Sequence, residues 1–171
     1  MVLSHDSNFV YDVFDVIENL SWAPKCMVIQ TNRLYLNNGS SLRMIVNPNP
    51  KTSFVGLSTT TLIVDGAAFL DLRGILDCMS PVLAVRHNLA EKENKPYGLV
   101  IASPLSHLSK GVTFENTWIS ARSGTSIFKP IYAHWRRISR FRDDPKWYSN
   151  VCNILYNDKI RISKEIDLKF R

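Results

Sequence analysis

Hydrophobic positions change their spacing repeatedly along the chain, and this change predicts alternating helices and strands. The first helix is predicted from apolar residues at helical spacing: Val10, Val13, Phe14, Ile17 and Leu20. Ser4 or Asp6 is expected to cap this helix, and Pro24 is expected to end it. The alternation as a whole is typical of an α/β fold.

Three short apolar segments after this helix predict strands. "CMVI" forms the first, and "RLYL" and "SLRMIV" form a hairpin across the turn "NNGS". Asn38 and Gly39 are expected to supply the positive φ angles of that turn. The polar stretch 47–59 is predicted to be a loop.

The segment "TLIV" is apolar at every position, which is typical of a central parallel strand covered on both faces. Asp65 follows it directly, and Ser103 ends the next apolar strand, "LVIAS". The intervening stretch 69–88 suits a helical crossover that is broken near Pro81. Because ligands bind outside the carboxyl ends of strands in open α/β sheets, Asp65 and Ser103 are expected at one crevice.

The remaining chain is predicted to be mainly helical. Residues 105–120 suit a helix, 127–135 suit an extended segment, and 158–170 suit a last helix. Between them, Asp144 is expected to cap a further helix with Pro145 at its first position.

Composition limits the class of protein. With 171 residues and 45% hydrophobic content, the chain suits one compact domain. The 21 Lys and Arg against 15 Asp and Glu give a net charge of +6, which favours an anionic partner such as nucleic acid or nucleotide. Cys26, Cys78 and Cys152 form no metal or disulfide pattern, so a reducing cytosol is expected. No signal peptide and no apolar run of about 20 residues is present, so neither secretion nor a membrane span is expected.

Several motifs occur in a fixed order over residues 25–170: "LYLNNGSSLRM", "VGLS", "LIVDGAAFLD", "LVIASPLSH", "FKPIYAHW", "DPKWYSNV" and "SKEIDLKF". In this order they resemble the ATPase region of tailed-bacteriophage terminase large subunits, the motors that package viral DNA. The resemblance implies a P-loop NTPase-like fold of the RecA/ASCE type, with a parallel sheet flanked by helices. Residues 1–171 are expected to be a single, partial ATPase domain without the nuclease domain.

The resemblance also assigns roles. In P-loop ATPases a Lys and a backbone cradle bind the phosphates, an Asp holds magnesium and an adjacent acid orients the attacking water. Asp65 matches the magnesium-side aspartate, and Ala102, Ser103 and Pro104 match the coupling motif that senses the γ-phosphate. Two alternatives stay open, since Asp65 also suits a cap of the next helix and Ser103 a turn or helix cap.

Two departures from the family concern catalysis. The pattern G-x-x-x-x-G-K-[ST] is absent, so the chain is expected to start downstream of the phosphate cradle. Gly66 stands where the family has its catalytic Glu, and Asp71 lies too far along the chain to replace it. Val55 stands where the family often has Arg. No catalytic residue is therefore assigned, ATP hydrolysis by the chain alone is not expected, and ATP and Mg²⁺ are expected only if a partner chain completes the site.

A basic stretch near the C-terminal end is a candidate DNA contact, with His134 and Trp135 followed by four arginines: Arg136, Arg137, Arg140 and Arg142. Such a stretch suits contacts with DNA phosphates and stacking on bases. The alternative is a solvated face. The four histidines show no metal-ligand spacing, and Asp143 and Asp144 suit a helix start better than a metal site.

These observations predict part of the terminase ATPase motor, acting in viral DNA packaging and virion assembly. The expected partners are the remaining large-subunit fragment, the small terminase subunit, the portal and double-stranded viral DNA, in the host cytoplasm and transiently at the procapsid portal. The alternative is a catalytically dead terminase-like protein that binds DNA, the portal or the motor.

Overall fold

A computed structural model describes residues 1–19, 26–30, 32–103 and 112–169. The chain divides into two compact units, Met1–Ser103 and Pro104–Arg171. The first unit carries a β-sheet, and the second is built from short helices.

The described residues of the first unit form six strands and two α-helices. The strands are β1 (Val2–Ser4), β2 (Cys26–Gln30), β3 (Arg33–Leu36), β4 (Ser41–Val46), β5 (Thr61–Val64) and β6 (Gly98–Ile101). The helices are α1 (Asn8–Asn19) and α2 (Leu72–Lys92), and a 3₁₀ turn, Ala67–Phe69, precedes α2. This confirms the predicted α/β class.

All six strands form one sheet in the order β2-β3-β4-β1-β5-β6. Strands β4, β1, β5 and β6 are parallel to one another, whereas β3 is antiparallel to both β2 and β4. In the centre Leu3 pairs with Ile45 on one side and with Val64 on the other. The short strand β1 therefore lies in the middle of the parallel part, as does β5.

Helix α1 covers one face of the sheet. Val2, Leu34 and Met44 form a buried cluster on this face. The helix contributes Phe9, Val13 and Ile17, which are partly buried and pack against this cluster. The helical spacing of such apolar residues is the signal that predicts α1.

The opposite face holds the residues that alternate with this cluster along the strands. Leu3, Leu62 and Val64 are fully buried there. Helix α2 supplies a buried stripe at helical spacing, consisting of Leu72, Ile75, Met79 and Leu83. The central strands are thus covered on both faces, as uniformly apolar strands require.

The start of the chain differs from the prediction. Ser4 belongs to β1 and not to a helix cap, whereas the Asp6 carboxylate, two residues before α1, accepts a hydrogen bond from the amide of Asn8, the first residue of α1, at 2.9 Å. A strand of three residues offers too few positions for a periodicity to be recognised. Leu20 and Pro24 lie outside the described residues.

Two further predictions need correction. In the hairpin turn only Gly39 has a positive φ, of 81°, while the Asn38 side chain accepts a hydrogen bond from the Ser40 amide. Helix α2 is not broken at Pro81 but continues for 21 residues to Lys92. Its buried stripe continues on both sides of Pro81, and this packing outweighs the missing backbone donor.

The second unit has little buried core. Its helices are α3 (Thr113–Arg122), α4 (Ser139–Arg142), α5 (Trp147–Ile154) and α6 (Lys159–Arg161), with a 3₁₀ turn at Trp135–Arg137 and a π-helical turn at Ile162–Ile166. Among residues 112–169 only Phe114 and Ala121 are buried. Contacts between aromatic rings and hydrogen bonds supply much of the remaining packing.

Several boundaries in this unit also differ from the prediction. Helix α3 ends at Arg122, two residues beyond the predicted end, and residues 104–111 lie outside the described part. Helix α5 starts at Trp147 because Asp144 and Pro145 form a preceding turn, in which Asp144 accepts a hydrogen bond from the Lys146 amide. The last helical segment ends at Ile166, and Phe170 is not among the described residues.

Candidate functional site

The chain leaves the parallel central strands β1 and β5 towards opposite sides of the sheet. After β1 the chain passes through α1 to β2, β3 and β4, whereas after β5 it passes through α2 to β6 on the other side. Such a switch point opens a crevice at the carboxyl ends of the two strands, which is the usual ligand position in open α/β sheets. The residues at these ends therefore form the candidate site.

Asp65 and Ser4 meet at this switch point. The Ser4 side chain is buried, and its Oγ donates a hydrogen bond to Asp65 Oδ2 at 3.3 Å. The Asp65 amide donates to the Leu3 carbonyl at 2.8 Å, which continues the pairing of β1 with β5. The Asp65 carboxylate is thus held at the expected end of β5. It does not cap the next helix, since Asp71 caps α2 by accepting from the Gly74 amide.

The position after Asp65 is closed to a side chain. Gly66 has a left-handed backbone with φ of 64°, and a Cβ atom there would lie 2.1 Å from His5 Nδ1. The His5 ring also stacks on Phe69, with the ring centroids 4.6 Å apart. The space that a glutamate side chain would enter is therefore filled by imidazole, and the backbone at this position favours glycine independently.

Ser103 connects the end of β6 to the turn that follows Asp65. Its Oγ accepts a hydrogen bond from the Ala68 amide at 3.0 Å, and the Ala102 carbonyl accepts one from the Ala67 amide at 3.0 Å. The predicted neighbourhood of Asp65 and Ser103 is thus present, with the 3₁₀ turn between them. Pro104 lies outside the described residues.

The loop between β1 and α1 has the strand–loop–helix arrangement that phosphate cradles use. It contains no glycine, and two of its amides already have acceptors within the loop. The Asp6 amide donates to Ser4 Oγ at 3.2 Å, and the Asn8 amide donates to the Asp6 carboxylate. The Asp6 carboxylate thus already accepts from an amide at the start of α1, and its negative charge disfavours a second anion there.

The described residues do not form a complete nucleotide site. Asp65 and Ser4 supply a carboxylate and a hydroxyl, which are oxygen ligands of the kind Mg²⁺ accepts, but Mg²⁺ sites of this type also need substrate phosphates. No group of three or more His, Cys, Asp or Glu residues suited to a metal occurs in the described parts of the chain. Within the described residues, Asp65 and Ser4 therefore provide oxygen ligands without a phosphate cradle.

Sequence reasoning missed Ser4 and His5 as site residues. Both owe their positions to β1, a three-residue strand that carries too short a pattern to be predicted. The apolar pair Val2 and Leu3 before a polar loop and a helix is the available signal.

The four arginines lie in the second unit. All four are exposed, on the 3₁₀ turn Trp135–Arg137 and on α4. Arg142 forms two hydrogen bonds with Asp143, from Nε at 2.7 Å and from Nη2 at 3.2 Å. The guanidinium of Arg142 also holds the pKa of the Asp143 carboxyl below its usual value.

Comparison with protein families and with curated proteins yields no relative. No protein-family model matches the chain, and no curated protein matches it either. The described helices include none that combines the length and apolar character of a membrane span.

Proposed function

We propose that this chain is the Walker B and coupling-motif part of a terminase large-subunit ATPase motor that packages viral DNA. It requires another chain to supply the phosphate cradle and does not hydrolyse ATP alone. The observation that supports this role best is that Asp65 and Ser103 lie just beyond the ends of the adjacent parallel strands β5 and β6, where the Ala68 amide in the turn after Asp65 donates a hydrogen bond to Ser103 Oγ.

The roles of the two residues follow from their contacts. Asp65 would serve as the magnesium-side ligand, with Ser4 fixing one of its carboxylate oxygens. Ser103 is tied to the turn that begins directly after Asp65. A shift of Asp65 on loss of a bound phosphate would thereby move the end of β6, which is the task of a coupling residue.

The sheet leaves an edge at which a missing strand can pair. Strand β5 already has β1 and β6 as neighbours, and among the described strands the edges of the sheet are β2 and β6. The β6 edge is one strand away from Asp65, whereas β2 is four strands away. A parallel strand that delivers a cradle to Asp65 would therefore pair with β6, in which Val100 is half-exposed.

The second candidate function is a catalytically dead binding protein of the same packaging assembly. The packing of His5 against Gly66 favours it, because the water-orienting acid is absent and cannot be replaced at this position. In this function the chain docks on DNA, the portal or the motor in the host cytoplasm, and no nucleotide is involved.

Nucleotide binding by the completed assembly tests these proposals. The chain would be co-purified with the Walker A-bearing chain encoded in the same genome, and Mg²⁺-dependent binding of a fluorescent ATP analogue would be titrated. We expect binding by the complex that Asp65→Asn weakens at least tenfold. Asp77→Asn, which removes an exposed carboxylate from α2, should leave the affinity unchanged.

One result would contradict the need for a second chain, and another would contradict the motor role. The first is ATP turnover by the isolated chain that Asp65→Asn abolishes, since an enzyme-like rate of around 1 per second needs both missing groups. The second is a stable complex with no ATP binding, which would favour the dead binding protein.

A further inference from the structure

Three exposed arginines of the second unit lie close in sequence to a row of aromatic rings, and two of them, Arg136 and Arg140, contact these rings. We call Arg136, Arg137 and Arg140 with the rings of Trp135, Phe141 and Trp147 the arginine–ring surface. Trp147 lies between the other two rings, with centroids 5.0 Å from Trp135 and 4.8 Å from Phe141. The row ties the 3₁₀ turn, α4 and the start of α5 together.

Two guanidinium groups lie over the outer rings of this row. Arg136 Cζ is 5.2 Å from the centroid of Trp135, and Arg140 Cζ is 4.7 Å from that of Phe141. Each cation–π contact contributes about 0.5–1 kcal/mol at an exposed site. The contacts also restrict the long side chains, so less conformational entropy is lost when the guanidinium groups bind a ligand.

The charges of this surface are not neutralised within the described chain. Arg136, Arg137 and Arg140 form no ion pair with a described carboxylate. Arg142 differs, because Asp143 neutralises it with two hydrogen bonds. The free positive charge is therefore concentrated on three of the four arginines of the stretch.

The rings of this row are already in contact with neighbouring rings and guanidinium groups. Phe141 has Trp147 stacked on it and Arg140 over its ring. Trp135 contacts Tyr148, with centroids 5.3 Å apart, in addition to Trp147 and Arg136. Binding of single strands usually depends on open aromatic faces, whereas a duplex presents its phosphates outward and its bases inward.

We propose that the arginine–ring surface binds the phosphate backbone of duplex DNA without stacking on bases. The choice of DNA as the anionic partner rests on the proposed packaging function, whereas the preference for duplex rests on the covered rings. Guanidinium groups bind phosphate oxygens in a bidentate manner, and each such contact releases a counterion from DNA.

The salt dependence of DNA binding tests this proposal. Affinities for a labelled duplex and for its single strand would be measured by fluorescence anisotropy over a salt series, without nucleotide. The test variant carries Arg136→Gln, Arg137→Gln and Arg140→Gln, because glutamine keeps part of the side-chain stem over the rings. The control carries Arg73→Gln, Arg86→Gln and Lys92→Gln, which remove three exposed charges from α2.

We expect the wild type to prefer the duplex. Affinity falls as salt rises, so the slope of log affinity against log salt is negative. The test variant should make this slope less steep by about three, since each lost phosphate contact reduces its magnitude by about one. The control should change the slope by less than one. Equal slopes for the two variants, or a preference for single strands, would overturn the proposal. ATP binding is not part of this assay, so a failed motor proposal and a failed DNA surface are distinguishable.

Discussion

Gly66 is the residue on which the catalytic interpretation depends, and its geometry explains why no acid occupies that position. The left-handed backbone and the neighbouring His5 ring both exclude an ordinary side chain. In addition, Ser4 fixes Asp65 without any help from residue 66. The position of the Asp65 carboxylate is therefore independent of the side chain at position 66.

Gly66→Ala should destabilise the protein in two ways. A left-handed backbone opposes alanine by about 1–2 kcal/mol, and overpacking against His5 adds about 1–3 kcal/mol. Gly56 is the matched control, because its φ is 69° and a Cβ atom added there would meet no other atom within 4 Å. Urea unfolding should show a larger loss for Gly66→Ala than for Gly56→Ala, and adding His5→Ala should remove most of the difference. Equal losses of unfolding free energy for Gly66→Ala and Gly56→Ala would contradict the proposed steric conflict with His5.

Arg43 is expected to lower the stability of the sheet. It pairs directly with Arg33 across β3 and β4, and its Nε is buried without a hydrogen-bond partner in the described chain. Like charges in direct opposition and an unsatisfied donor both destabilise. Arg43→Met should therefore raise the free energy of unfolding by about 1 kcal/mol, with the larger gain at low salt.

Arg33→Met serves as the comparison for this prediction. It removes the same repulsion but also loses the hydrogen bond from Arg33 Nη1 to the Tyr35 hydroxyl at 3.3 Å. The gain in free energy of unfolding should therefore be smaller for Arg33→Met than for Arg43→Met. A loss of stability for Arg43→Met in urea unfolding would show that the arginine has a favourable role in this sheet.

At the scale of elements, the sequence predicts those parts whose signals are local. Three consecutive apolar residues after Thr61 predict strand β5, and five apolar residues at helical spacing predict α1. Strand β1 is not predictable in this way, because three residues carry no periodicity and its stability comes from pairing with β4 and β5. The contact of His5 with Gly66 depends on that pairing and is equally inaccessible from the sequence.

A hydrogen bond of the Tyr148 hydroxyl connects α5 to the end of the second unit, and the pKa of Tyr148 reports this contact. Its hydroxyl donates to the Asp167 carboxylate at 3.2 Å, and burial together with the charge of Asp167 raises the pKa of Tyr148 to about 12. The raised pKa stabilises the fold fully below about pH 10, and this contribution is lost as pH rises towards 12. Asp167→Asn should bring the pKa of Tyr148 closer to 10.

Absorbance titration of tyrosinate measures this pKa. The titration of Tyr148 would be obtained by difference between wild type and Tyr148→Phe. Tyr156→Phe is the control, because Tyr156 is 90% exposed. A difference curve for Tyr148 centred near pH 10 would contradict the prediction.

At the scale of the whole molecule, the outer side of β6, with which no described strand pairs, should make the isolated chain associate. Unpaired strand edges template further pairing, and natural proteins often block them with lysine. Val100→Lys should therefore reduce concentration-dependent association in sedimentation velocity. Val85→Lys places the same charge on an exposed position of α2 and should have little effect. A wild-type chain that sediments as a monomer at every concentration would contradict this prediction.

The small core of the second unit has a consequence for hydrogen exchange. With only Phe114 and Ala121 buried among residues 112–169, local opening of this unit exposes little apolar surface and requires little free energy. Its amides should exchange with deuterium well before those of β1 and β5, which lie in the centre of the sheet. Slower exchange around Trp135 and Trp147 when duplex DNA is added would then locate the bound phosphates directly.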